Sequence, residues 1–400
     1  MLVSHFNRLL HLCKHMLRLM KSVYLDNAAT TQIRDEVIDR MAAVMKENYG
    51  NPSSTHNFGR QSKSLLETSR KKIASYFKVS AAEIVFTSGG TEADNLVLRS
   101  AVKDLGVTEI ISSKIEHHAV LHTLSELQKE FNVVITFVNL QENGHIDLEH
   151  LQHLLQSPHK KLVSLMHINN EIGNKIDLKK VAELCKANRA LFHSDTVQSV
   201  GHYNMDLQSI PVDFIAASAH KFHGPKGVGF AFIRKNSGLR ASIFGGEQER
   251  GLRAGTEAIH NIVGMAEALT LAYDHLEKER SSVLDLKTYF ISELKRAFPE
   301  VHFNGDCENL ETCSYTLLNV CLPFTPDKAS LLPFQLDLKG IACSRGSACQ
   351  SGSSQNSHVL SEILNEDRIS RPSLRFSLSS FNTRADIDYV VNVLTEFSGH

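Results

Sequence analysis

Between residues 23 and 258 the chain switches repeatedly between short apolar runs and longer helix-like stretches, and this alternation limits the possible folds more than any other feature. The runs EIVFTS, EIISS, VVITFVNL, LVSLMHI, ALFHSD, FIAAS and GVGFAFI are rich in Val, Ile and Phe and lack a clean polar alternation. Strands wetted on one face alternate, whereas strands covered on both faces do not. Helical patterns such as DLEHLQHLL and DLKKVAELCKANR lie between several of them. Strand–helix–strand repetition of this kind builds an α/β fold around a mostly parallel, doubly covered sheet.

The texture changes after residue 258. Residues 259–298 read as helix, either two segments or one bent one. The short strand patterns VHFNG, SYTLLNV and SLRFSLS follow, and RADIDYVVNVLTEF closes the chain as a helix. The expected division is a large α/β domain over 23–258, a smaller α+β domain over 259–400, and an N-terminal extension, 1–22, that the fold does not require. A length of 400 residues suits about two cores.

The extension MLVSHFNRLLHLCKHMLRLMK has no acidic residue, and Leu2, Phe6, Leu9, Leu10, Leu17 and Met20 can share a helical face. Charges interrupt it too often for a spanning helix, and the apolar core of a secretory signal is missing. It reads as a transit peptide, a surface helix, or a leader ahead of a true start at Met20. The last is preferred because the folded pattern begins at Val23.

Seven cysteines occur, an odd number, with no pair at CxxC spacing. This favours free thiols in a reducing compartment, so the expected location is the cytoplasm, or an organelle if 1–21 is a transit peptide. His220 and His223 are three apart, but no Cys/His cluster repeats with ligand spacing, and no metal is expected. The formal net charge is −1, with no basic stripe beyond residue 22, so neither nucleic acid nor a membrane surface is an expected partner. A small-molecule site is the better expectation.

Open α/β sheets bind ligands beyond the carboxyl ends of their strands. EIVFTS runs into Gly89-Gly90-Thr91, EIISSK into Glu116-His117-His118, LVSLMHI into Asn169-Asn170-Glu171, ALFH into Ser194-Asp195, and FIAA into Ser218-Ala219-His220-Lys221. Taken singly, these are a turn, a helix cap, a structural histidine and a solvated lysine. Together they offer complementary chemistry at five strand ends. Gly89-Gly90-Thr91 puts N–H groups and a hydroxyl at a helix start, which suits a phosphate. Ser218 and His220 add donors, and Asp195 supplies a negative charge for a protonated pyridine nitrogen. Lys221, expected in apolar surroundings, can form an imine. Such a set describes pyridoxal phosphate.

The stretches YLDNAATT (24–31), YGNPSSTHNFG (49–59), FTSGGTEADN (86–95), EHHAVL (116–121), NNEIG (169–173), HSDTVQSVG (193–201), SAHKFHGPKGVG (218–229), RAGTE (253–257) and SRGSACQSGS (344–353) resemble the NifS/IscS type of cysteine desulfurase. These belong to the class V, fold-type I pyridoxal-phosphate enzymes. SAHKFHGPKG points to fold type I, and the RGSAC loop narrows this to a desulfurase. The resemblance implies that Lys221 forms the imine and moves the Cα proton. It places Asp195 at the pyridine nitrogen and Gln198 at the ring hydroxyl oxygen. Thr91, Ser218, His220 and the backbone of Gly90 would hold the phosphate, with Ala219 also among the cofactor contacts. Thr256 would reach the phosphate of a neighbouring subunit, making the enzyme a homodimer. His117 would stack on the ring, and Asn170 and Arg375 would grip the substrate carboxylate.

The resemblance also implies that Cys349 attacks the sulfur of L-cysteine, becomes a persulfide and releases L-alanine. Glycines and serines surround Cys349, so its segment is expected to be mobile. Arg345 stands where relatives often carry a small residue, and it either lowers the Cys349 pKa or is a solvated charge. Cys343 is expected to be a buried small residue rather than a resolving thiol. A sulfur-acceptor protein is the implied partner, for iron–sulfur assembly or transfer-RNA thiolation. The alternatives are a selenocysteine lyase, another class V lyase or hydrolase, or a non-catalytic homologue.

Overall fold

The computed structural model describes residues 21–345 and 357–399. In chain order its strands are β1 (Val23–Tyr24), β2 (Ile84–Thr87), β3 (Glu109–Ser112), β4 (Val134–Phe137), β5 (Lys161–Ser164), β6 (Leu191–Asp195), β7 (Phe214–Ser218), β8 (Gly229–Ile233), β9 (His302–Phe303), β10 (Leu317–Cys321), β11 (Ile341–Ala342) and β12 (Ser373–Ser377). All seven apolar runs become strands of one seven-stranded sheet, in the order β2-β8-β7-β6-β5-β3-β4.

Neighbours among β7, β6, β5, β3 and β4 are parallel, while β8 runs antiparallel to both β7 and β2. The reversal has a local cause: the short link 219–228 cannot hold a crossover helix. β2 therefore points the same way as β7, and the carboxyl ends of β2, β3, β5, β6 and β7 share one edge.

Burial on both faces is visible residue by residue. Along β7, Phe214 and Ala216 enter one core while Ile215 and Ala217 enter the other. In β8, Phe230 and Phe232 go one way, and Ala231 and Ile233 the opposite way. Such strands cannot alternate in polarity, because both of their faces are dry.

The helices Gly90–Lys103 and His118–Phe131 cover one face. The opposite core takes in residues of Asp35–Glu47, Asn57–Tyr76 and Ile259–Asp274. The last of these corrects the expected boundary at 258. Ile259, Ile262, Met265 and Leu269 lie in the large core, and the chain leaves that core only as helix Leu276–Ala297 begins. Conversely, Val23 and Leu25 belong to the small core, with Phe290, Leu318, Phe376 and Leu394. β1 pairs in parallel with β11, tying the start of the described chain to the small unit. There β12, β10 and β9 form an antiparallel sheet. Among the described residues no helix is long and apolar enough to cross a membrane.

Candidate active site

The strand ends on the shared edge open into a cleft of about 430 Å³. Gly89, Gly90, Thr91, His117, Asn170, Asp195, Gln198, Ser218, His220, Lys221 and Arg375 all line it. Residues far apart in sequence thus converge where the parallel topology leaves a crevice.

β2 turns into helix Gly90–Lys103 through Gly89, whose φ of +155° is a conformation that favours glycine. A Cβ at Gly90 would sit 2.5 Å from Val197 Cγ2, so glycine lets the helix start lie this close to the turn that follows β6. The first N–H groups of a helix have no intrahelical partner, and here they face the cleft. Ser218 Oγ lies beside the same turn, 3.4 Å from where a Gly89 Cβ would be. Glu92 and Arg253 brace this helix start: the guanidinium Nε donates to Glu92 Oε1 at 2.8 Å, and Glu92 also accepts the Ser88 N–H. Burial raises the Glu92 carboxyl, but the hydrogen bonds from Arg253 and Ser88 outweigh it and leave its pKa lowered.

Asp195 ends β6, buried, and its Oδ1 accepts the Val197 N–H at 2.9 Å. Burial pushes this carboxyl up to about 7, and the nearby Asp94 adds to the rise. Two residues earlier on the same strand face, His193 lies 3.3 Å from Asp94 Oδ1 and 2.9 Å from Ser164 Oγ. Burial raises Asp94 to about 8 and lowers His193 to about 4. A cation facing Asp195 from the cleft would offset the cost of ionising it.

Lys221 sits in the 3₁₀ turn Ala219–Lys221 after β7. Its Nζ donates to the carbonyls of Ala28 at 2.5 Å and Ala29 at 2.8 Å. The expected apolar surroundings are corrected: the lysine is held by the backbone of the segment after β1. Gln198 Nε2 donates to the same Ala28 oxygen at 2.9 Å. His220 Nδ1 meets Thr30 Oγ1 at 3.2 Å, whereas His223 Nδ1 meets the Gln32 carbonyl, so the two imidazoles have separate duties. His220 is lowered to about 4, first by burial and then by Lys221.

His117 caps helix His118–Phe131 by accepting the Ala119 N–H at Nδ1. Its proton is therefore assigned to Nε2. Burial, reinforced by Lys221, lowers it to about 4, which makes it neutral at physiological pH. Arg375, on β12, crosses from the small unit into the cleft. Its Nη2 pairs with Asp26 Oδ1 at 2.8 Å, and its Nη1 donates to the Asn170 carbonyl at 2.9 Å. The buried Nε has no hydrogen-bond partner, so the fork keeps an unused donor.

One expected cofactor contact falls elsewhere. Ala219 does not line the cleft: its side chain lies in the large core, and its N–H is taken by the Val228 carbonyl at 3.1 Å. Thr256 faces a separate hollow of about 150 Å³, which shares Ser88 and Gly227 with the cleft. Cys349 lies outside the described residues. The strand-like segment leading to it is fixed, since Ser344 exchanges main-chain hydrogen bonds with Arg375 and its Oγ donates to Asp26 at 2.9 Å. Arg345 is exposed. Cys343 packs against the small core, and burial pushes its thiol up to about 12, which suits a packing residue.

Asp26, Asp94 and His193 were not singled out in the sequence. The pair His193 and Asp195 carries a readable signal, two polar residues one strand repeat apart in a buried run. Asp26 carries none, because its partner is remote in sequence.

Residues 23–390 match the Aminotransferase class-V family. The chain is 39% identical over 376 residues to the cysteine desulfurase IscS of Dictyoglomus turgidum, with 94% of each chain covered. A solved NifS-like protein superposes with a TM-score of 0.86 at 34% identity, covering 95% of this chain and all of its own. A structure described as SspA in complex with cysteine gives a TM-score of 0.79 at 27% identity, over 90% of this chain and 100% of that one. The fold is that of the fold-type I transferases, whose class V members depend on pyridoxal phosphate. The chain belongs to that class V family and, within it, to the cysteine desulfurases of the NifS/IscS type.

Proposed function

We propose that this cleft removes sulfur from L-cysteine with the residue roles that follow, and that the sulfur is received by Cys349. The carrying observation is that Lys221, Asp195 and the Gly89–Thr91 helix start line one cleft from three neighbouring regions of the sheet. The donor set fits pyridoxal phosphate: anion-binding N–H groups, a buried carboxylate and an amine, with no side chain at Gly90 to block them. When bound, that cofactor supplies a carbonyl for amines and a ring that draws electron density from the substrate Cα.

The backbone at Gly90, with Thr91, Ser218 and His220, would hold the phosphate. Asp195, ionised, would keep a proton on the pyridine nitrogen, and Gln198 would bond the ring hydroxyl oxygen. Lys221 would carry the cofactor and then move the Cα proton. His117, neutral, would cover the ring and assist that transfer through Nε2. Arg375 and Asn170 would fix the substrate carboxylate, a fork geometry that orients the amino acid. Cys349 as thiolate would attack the substrate sulfur, breaking its carbon–sulfur bond and leaving a persulfide. The neighbour solved with cysteine supports that substrate.

A homodimer would let Thr256 complete the partner's phosphate site, consistent with its place beside the cleft rather than in it. A sulfur-acceptor protein, an iron–sulfur scaffold or sulfur carrier, would take the persulfide sulfur. Free, buried thiols support a reducing compartment such as the cytoplasm. Replacing Cys349 with Ser tests the reading: sulfide release from cysteine should vanish, and undiminished release would refute it.

A further inference from the structure

Lys287 is fully buried on helix Leu276–Ala297, and among the described residues it forms no ion pair with a carboxylate. Its Nζ donates to the Ser314 carbonyl at 2.7 Å and lies 3.6 Å from Cys313 Sγ. An ammonium buried without a counter-charge is costly, and among the described residues the thiol is the acidic group in contact. Cys307 is a second buried thiol beside the same backbone. Both sulfurs reach the same oxygen, the carbonyl of Ile172, at 3.2 and 3.6 Å. A hydrogen bond from Cys307 pulls the Cys313 thiol down and the Lys287 charge adds to this, while Cys307 itself is pushed up. Burial opposes the effect, and Asp306 adds to that opposition, but the thiol is left lowered.

We propose that Cys307 and Cys313 are a second, non-catalytic thiol site, closed to a disulfide by peroxide, with Lys287 holding Cys313 as the attacking thiolate. The thiolate attacks one peroxide oxygen, the O–O bond breaks, and Cys313 becomes a sulfenic acid as the first water leaves. The Cys307 sulfur then attacks Cys313, the S–S bond forms and a second water departs. Two thiols lose two electrons, and the peroxide is reduced to two waters.

The site sits behind the turn that carries Asn170. Ser314 N–H donates to the Gly173 carbonyl at 2.8 Å, and a Cβ at Gly173 would lie 2.7 Å from Cys313 Sγ. Packing this close leaves little slack, so closing the bond acts directly on the 169–173 turn.

The test uses the full cofactor-loaded chain with Cys349→Ser, exposed to hydrogen peroxide, then denatured and alkylated for peptide mass mapping. The expected result is a cross-linked pair of peptides containing Cys307 and Cys313, with Cys185 and Cys321 fully alkylated. In Lys287→Met the cross-link should form more slowly by roughly tenfold. If that variant fails to fold, Cys307→Ser serves instead: Cys313 should then carry a trappable sulfenic acid. Full alkylation of both cysteines after peroxide overturns the proposal, as does a rate unchanged by Lys287→Met or an untrappable Cys313 in Cys307→Ser.

Discussion

Asp26 Oδ1 and Arg375 Nη2 meet at 2.8 Å, and this contact joins the segment after β1 to the penultimate element of the small unit. The same carboxylate oxygen also accepts from Ser344, at the entry to the segment that carries Cys349. One acid thus orients both the arginine assigned to the substrate carboxylate and Ser344, five residues before Cys349. Asp26→Asn keeps an acceptor there but removes the charge that aims the guanidinium. The KM for cysteine should rise roughly tenfold, about 1.4 kcal/mol, with a smaller change in kcat. Steady-state kinetics with an unchanged KM would count against the assignment.

Gly90→Ala places a methyl 2.5 Å from Val197 Cγ2, a stiff β-branched side chain. The helix start must then move away from Ser218 and Asp195. Cofactor affinity, read by titrating the apoprotein, should fall by roughly tenfold or more while the circular dichroism spectrum is retained. Equal affinity would mean that the phosphate is held elsewhere.

Asp195 gives a pH dependence with a definite sign. Burial raises its folded pKa to about 7, against 3.8 in a model carboxyl. The folded apoprotein therefore holds this proton more tightly than the unfolded chain, and its stabilising contribution is lost as pH rises toward 7. Asp195→Asn cannot ionise, so the cofactor-free variant should gain stability over wild type, growing from pH 5 to pH 8 to on the order of a few kcal/mol. The same change should weaken cofactor binding. Thermal melts showing no pH-dependent difference would contradict the buried-charge reading.

Lys221→Ala removes the amine that donates to the Ala28 and Ala29 carbonyls. The phosphate contacts remain, so cofactor should still copurify or bind on addition, while steady-state alanine production falls to background. Retained turnover would refute the role given to this lysine.

Much of the fold was legible because its cause is local and repeated. Seven apolar runs became seven strands, since burial on both faces leaves the same mark in each. The strand-end residues were legible as a site for a topological reason: parallel strands put their carboxyl ends on one edge. Ala219 was misplaced because a backbone between two cleft residues need not face the cleft. The placement of helix Ile259–Asp274 was missed because an apolar helix does not announce which core it fills. Asp26 and the Asp94–His193 pair depend on contacts between remote segments, which no spacing in the chain encodes.

Incubating the protein with L-cysteine in the absence of reductant, then mapping by mass which residue gains a sulfur atom, tests the central claim most directly. One additional sulfur on Cys349, appearing together with alanine and absent from Cys349→Ser, is the predicted result. Sulfur gained at another cysteine, or alanine formed at full rate by Cys349→Ser, would contradict it.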